Sequence, residues 1–166
     1  MQASLIEPES LADQRTIVEQ VFETMVGISL ESCEADPCET DHLSSGAANP
    51  SIASLLTFTA PCEGSILVEC SPGLAFLFTA RLMSIKLPVS LDEDVADAMR
   101  ELANMIGGNL KGLMPDETCV SIPRVLTPPE LADLFETNEV LSQICFSALS
   151  GTEQCSVRLL QQVHPV

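Results

Sequence analysis

The chain has 166 residues, 46% of them hydrophobic, which suits a packed core and excludes a disordered tail. Its net charge of -17, from 24 acidic against 7 basic residues, weighs against nucleic acid or an anionic membrane as a general partner. No apolar run is long enough to span a bilayer, and MQASLIEPES has neither the basic nor the apolar region of a secretory leader, so a soluble cytoplasmic protein is expected.

The acids are unevenly placed: the first fifty residues hold ten of them against one base, Arg15. Seven cysteines, scattered through apolar segments, read as free thiols serving as small core residues. Cys33, Cys38 and His42 are loosely spaced like metal ligands, but no clear fourth ligand accompanies them, so no metal is expected there. The two histidines, His42 and His164, fall in a loop and a tail and are assigned no catalytic role.

In chain order, Leu11 to Met25 carries Ile17, Val18, Val21, Phe22 and Met25 at helical spacing, with Ser10 as N-cap and Gly27 as terminator. Ile28 to Glu31 is read as the start of a short strand. Ser32 to Pro50, rich in Ser, Gly, Asn, Asp, Pro and Glu, reads as an exposed acidic loop inserted within a single domain spanning 1–166. Ser51 to Pro61 and Gly64 to Cys70 read as a β-hairpin. Ser71-Pro72 opens a nearly all-apolar helix through Leu74, Phe76, Leu77, Phe78, Leu82 and Met83, which must be well buried.

Ser90 to Pro115 reads as one long amphipathic helix, opened by a Ser90/Glu93 capping box. At 100° per residue, Val95, Met99, Leu102, Ile106, Leu110 and Leu113 share the core side. Asp94, Asp97, Glu101, Asn104, Gly108 and Lys111 share the opposite side, which puts Glu101 and Asn104 side by side facing solvent. Gly107-Gly108 costs about 1 kcal/mol per glycine in a helix interior. That cost points to close packing, close approach by another surface, or a local kink. On pattern alone, the stripe is an ordinary solvated helix face.

Thr118 to Leu126 reads as a strand whose Pro123 requires an edge position or a bulge. Thr127 to Glu130 breaks the chain, and a short helical turn is expected over Glu130 to Phe135. Val140 to Leu149 and Cys155 to Val163 read as an antiparallel hairpin turning at 150–154, the second strand alternating Cys155, Val157, Leu159, Gln161 and Val163 against Ser156, Arg158, Leu160 and Gln162.

The stretch DAMRELANMIGGNLKGLMPDETCVSIPRVL resembles the CheX branch of the CheC/CheX/FliY chemotaxis phosphatases. Asp97, Glu101 and Asn104 match that family's Asp-x3-Glu-x2-Asn signature, followed by Gly108-Asn109 and the Ser121–Pro123 strand. The resemblance implies an α+β fold with long helices packed on a largely antiparallel sheet. It implies removal of phosphate from the aspartyl-phosphate of a CheY-like receiver, with Glu101 holding the receiver's lysine and Asn104 positioning the attacking water. Asp97, Gly108 and Lys111 then belong to the partner-binding stripe. The Mg²⁺ is the receiver's, the chain needs no cofactor of its own, and a homodimer is a further implication. The first helix offers Glu23 followed by Val26 where an asparagine would stand, so a second site there would be inactive. The competing reading is a non-catalytic module of the same fold that docks a receiver; a third is a metal or redox sensor using Cys33, Cys38 and His42.

Overall fold

The computed structural model describes residues 11–33 and 51–163. Ser10, Cys38, His42, His164 and nearly all of the acidic loop lie outside them. Four helices are described: α1 (Leu11–Val26), α2 (Pro72–Met83), α3 (Glu93–Lys111) and α4 (Pro128–Thr137). The strands are β1 (Glu31–Cys33), β2 (Ile52–Thr59), β3 (Gly64–Cys70), β4 (Cys119–Val120), β5 (Arg124–Leu126), β6 (Asn138–Ala148) and β7 (Glu153–Gln162). They form one antiparallel sheet in the order β1-β6-β7-β3-β2-β4, with β5 also paired to β2. This is the α+β architecture expected.

Hydrophobic spacing places α1 over the expected residues, but Met25, counted on its apolar side, is 44% exposed, and Val26 is buried in its place. Val18, Val21, Phe22 and Val26 are buried, and Phe22 meets Phe78 of α2 with ring centroids 5.4 Å apart. Gly27, at φ +63°, stops the helix, its own N–H donating to the Glu23 carbonyl and that of Ile28 to the Phe22 carbonyl. The strand expected at 28–31 lies later, at Glu31–Cys33, because Ile28 is buried under the helix end rather than paired. Ser32 and Cys33, assigned to the loop, are therefore in the sheet, where Cys33 faces Cys145 of β6.

The β2/β3 hairpin is regular from Ile52↔Cys70 to Phe58↔Gly64. Ser71 does precede α2, but its hydroxyl bonds the Glu153 carboxylate instead of capping the helix. Free thiols as core residues hold for the buried Cys62, Cys70 and Cys155; Cys119 is exposed, and Cys33 and Cys145 are partly so.

The long helix starts later than its capping box suggested. Asp92 is the N-cap, its Oδ1 accepting from the Val95 N–H at 3.0 Å, and Ser90 lies in the turn before it. The residue adjacent to the first helical turn captures the free N–H, and Ser90 is too far upstream to do so. Val95, Met99, Leu102, Ile106 and Leu110 are fully buried, but Leu113, assigned to the same side, is 46% exposed because the helix has ended at Lys111.

The two glycines divide. Gly107 is buried against β2, and a Cβ there would stand 2.9 Å from Leu56 Cδ2; Gly108 has nothing within 4 Å. Gly107→Ala is expected to lower the melting temperature, since overpacking costs about 1–3 kcal/mol against about 1 kcal/mol of recovered helix propensity. Gly108→Ala keeps only the gain and should raise it. Paired thermal melts check this, and shifts of the same sign would contradict the division.

The expected 118–126 strand is two short strands on the outer edge of β2, interrupted at 121–123 around Pro123. The helical turn expected at 130–135 is the longer α4. Pro128 and Pro129 do not break the chain there: they occupy the first helical turn, where no intrahelical N–H bond is lost. Glu153 and Gln154, assigned to the last turn, are already paired in β7.

A capping box does open α4: Glu130 Oε2 accepts from the Thr127 N–H at 2.7 Å, and the Glu130 N–H reaches the Thr127 hydroxyl at 3.4 Å. The Thr127 backbone N–H, then its hydroxyl, then Arg124 hold the Glu130 carboxyl below its ordinary value of 4.5. A depressed folded value means that this stabilisation is fully present above the unfolded value and lost as pH falls through the folded one. Glu130→Gln should therefore flatten the acid limb of the stability curve. An unchanged limb in melts taken across the acid range would count against the capping role.

The helices α1, α2 and α3 cover one face of the sheet over the main core, which includes Leu56, Ile66, Val68, Val157 and Leu159. Helix α4 covers part of the other face, where Leu131 and Leu134 pack on Ala53, Leu55, Leu67, Leu126 and Leu160. Strand β7 is buried on both sides: Ser156 and Arg158, on the face opposite Cys155, Val157 and Leu159, are inside as well.

Candidate functional site

Helix α3 runs along the side of the helical layer nearest the β2 edge, touching β2, β3, β4 and β5 on the sheet and α1 and α2 beside it. Its apolar arc is consumed by those neighbours. Asp97, Glu101, Asn104 and Gly108 are exposed on the remaining arc, with Lys111 partly exposed at its end.

The side chains of this stripe differ in what they already touch. Arg100 ion-pairs with Asp97 and reaches Glu93 at 3.4 Å, and the bond it donates to Asp97 raises the guanidinium above its ordinary pKa. Asp97 is therefore held by its own helix. Asn109 Nδ2 donates to the Met105 carbonyl at 2.7 Å, so this amide too is satisfied locally. No hydrogen bond or ion pair within the described residues engages Glu101 or Asn104. Gly108 stands one turn beyond Asn104 with no side chain and open space around it.

The stripe thus brings together a free carboxylate, a free amide and a bare patch of helix backbone. A carboxylate accepts from a cation in a charge-assisted bond, and an amide donates and accepts at once. Arg100, whose grip on Asp97 the sequence reading missed, was legible in its i, i+3 spacing. Ile122, 89% exposed at the bend between β4 and β5, was also passed over; its position between Ser121 and the strand-breaking Pro123 was the available signal.

The corresponding arc of α1 is different. Val26 is buried, and Glu23 accepts from the Ser29 hydroxyl at 3.0 Å. A cleft of about 290 Å³ lies beyond it, lined by Gly27, Arg81 and Ser150. Arg81 is spent there on the Val26 and Gly27 carbonyls, at 3.1 and 3.2 Å. Among the described residues, no group of three or more His, Cys, Asp or Glu could hold a metal ion, and no helix is long and apolar enough to cross a membrane.

The fold is shared with solved structures. One is the CheX–CheY–BeF3–Mg²⁺ complex from Borrelia burgdorferi, matched at a TM-score of 0.71 and 16% identity over 92% of this chain and 97% of that one. Another is a CheX from Desulfovibrio desulfuricans, at 0.67 and 18%, covering 92% and 99%. A third is CheX from Vibrio vulnificus, at 0.66 and 18%, covering 95% and 99%. No curated protein matches the sequence. The model of one family does, over residues 52–145, from the start of β2 to within β6 and including all of α3. On that match the chain belongs to the family described as chemotaxis phosphatase CheX.

Proposed function

We propose that this chain hydrolyses the aspartyl-phosphate of a CheY-like receiver. The observation that carries the proposal is the pair Glu101 and Asn104, adjacent, exposed and without side-chain partners among the described residues, on α3 of a CheX-family chain. Hydrolysis of an acyl phosphate needs alignment and charge stabilisation more than a covalent nucleophile. Two side chains that can reach into a partner's cleft meet that need.

In this reading Glu101 accepts from the receiver's active-site lysine and fixes the register of the complex. Asn104 enters the cleft and holds a water in line with the phosphorus. The water oxygen bonds to phosphorus as the bond to the aspartyl oxygen breaks. The aspartate leaves as carboxylate, and the proton goes to the departing inorganic phosphate. Mg²⁺ on the receiver takes up charge on the phosphoryl oxygens. Asp97, tied to Arg100, stiffens the stripe, and Gly108 and Lys111 border the contact. The setting is the cytoplasm, where receivers are phosphorylated.

The test is phosphate release from phosphorylated receivers of the same genome, with and without the full chain. The chain should shorten the phosphoryl lifetime of at least one of them. No acceleration with any receiver would overturn the proposal.

A further inference from the structure

Two polar side chains cannot by themselves hold a specific complex. Such interfaces bury roughly 800 Å² per partner around an apolar centre with a polar rim. The outer stripe of α3 offers acids, an amide and a glycine, so an apolar contact has to come from beside the helix.

The geometry says which side. Gly107 packs on Leu56, so that side of α3 faces β2. At 100° per residue, Asn104 and Lys111 fall between the Gly107 side and the outermost Glu101 and Gly108. The buried residues Ala98 and Leu102 lie toward the opposite flank, and α1 and α2 also pack on α3. The Asn104 flank therefore overlooks the β4–β5 edge, which α3 also touches.

At that edge the chain leaves the ladder for three residues and puts Ile122 into solvent at 89% exposure. The bend is firmly held. The Ser121 N–H donates to the Thr57 carbonyl at 2.8 Å, the Thr57 N–H donates to the Ser121 hydroxyl at 2.9 Å, and Pro123 is buried. A side-chain oxygen thus replaces the strand acceptor that the bend removes, and the result is a fixed backbone presenting one bare aliphatic group. Val120, beside it, is also exposed.

We infer that Ile122 is the apolar anchor of the docking surface, seated against an apolar patch of the receiver beside the active site that Asn104 enters. The inference rests on the function proposed above. A receiver whose cleft admits Asn104 is far broader than one helix, and its body on that flank covers the bend.

The experiment is calorimetric binding of the full chain to CheY-like receivers from the same genome, each loaded with beryllofluoride and Mg²⁺, paired with steady-state dephosphorylation. Ile122→Asp should weaken binding and raise the half-saturating concentration about tenfold or more, with the maximal rate within about twofold. Ile122→Leu should restore wild-type values. Because the side chain is in solvent, both variants should melt like the wild type. Wild-type binding by Ile122→Asp overturns the inference, as does failure of every receiver to bind the wild type. If a receiver binds but its hydrolysis is not accelerated, the phosphatase reading falls, while a loss of binding in Ile122→Asp still supports the anchor.

Discussion

Asn104→Ala is expected to lower stimulated phosphate release by about 100-fold or more at saturating chain. The concentration giving half-maximal effect should stay within about threefold. The reason lies in what Asn104 does in the proposed reaction. Its amide contributes little area to the complex, but without it the water is no longer held in line with phosphorus. An interaction made only on the way to the transition state appears in the maximal rate, whereas one made equally in the bound complex appears in half-saturation. Glu101→Ala should show the second pattern, with half-saturation raised about tenfold by loss of a charge-assisted bond to the receiver's lysine.

The fold offers a control against the trivial explanation. Asn104 is exposed and its side chain makes no hydrogen bond among the described residues, and alanine is the better helix former by about 0.6 kcal/mol. The variant should melt no lower than the wild type, so an inactive and stable Asn104→Ala would locate the defect in chemistry. Full activity in this variant would remove Asn104 from the mechanism, and with it the physical basis of the proposed function.

What could be read in advance depended on how many sides of an element are covered. Helix α3 is buried on one arc and open on the other, so its period gave both the core residues and the stripe. Strand β7 is buried on both faces, and alternation then carries no information about inside and outside. The two faces of β7 could be told apart by spacing, but not which of them is covered. Over Arg158 the cover comes from Phe135 of α4, a helix that begins with two prolines and reads locally as a break. Capping signals were ambiguous in a similar way. Thr127-x-x-Glu130 and Ser90-x-x-Glu93 have the same form, yet only the first closes, because Asp92 stands nearer the start of α3 than Ser90 does. The free pair Glu101/Asn104 was visible as types and spacing. That Asp97 is tied down and Glu101 is not, and that only Gly108 of the two glycines is open, are facts of contact that spacing does not contain.

The largest stability effect should come from a pair invisible in the sequence, since Glu69 and Arg158 are 89 positions apart. They meet between β3 and β7 on the α4 side of the sheet, both buried. The Arg158 Nη1 group donates to Glu69 Oε2, Nε donates to Gln143 Oε1 at 3.0 Å, and the guanidinium lies 5.4 Å from the centre of the Phe135 ring on α4. Ser51 donates to the other Glu69 oxygen at 2.9 Å. Burial pulls the Arg158 pKa below its ordinary value, so the charge persists because its partner and hydrogen bonds repay its desolvation. Removing one partner strands the other. Arg158→Ala is therefore expected to cost about 3–5 kcal/mol, or roughly 10 °C in melting temperature for a chain of this size. Replacing both, as Glu69→Leu with Arg158→Met, leaves no buried charge and should recover most of that loss. A single variant melting within about 2 °C of the wild type would show that the pair is hydrated or dispensable. The pair lies across the sheet from α3, whose Gly107 packs on the Leu56 side. Well below its melting temperature, Arg158→Ala should thus dephosphorylate a receiver at the wild-type rate. A loss of rate there would mean that α3 depends on the far face of the sheet for its alignment.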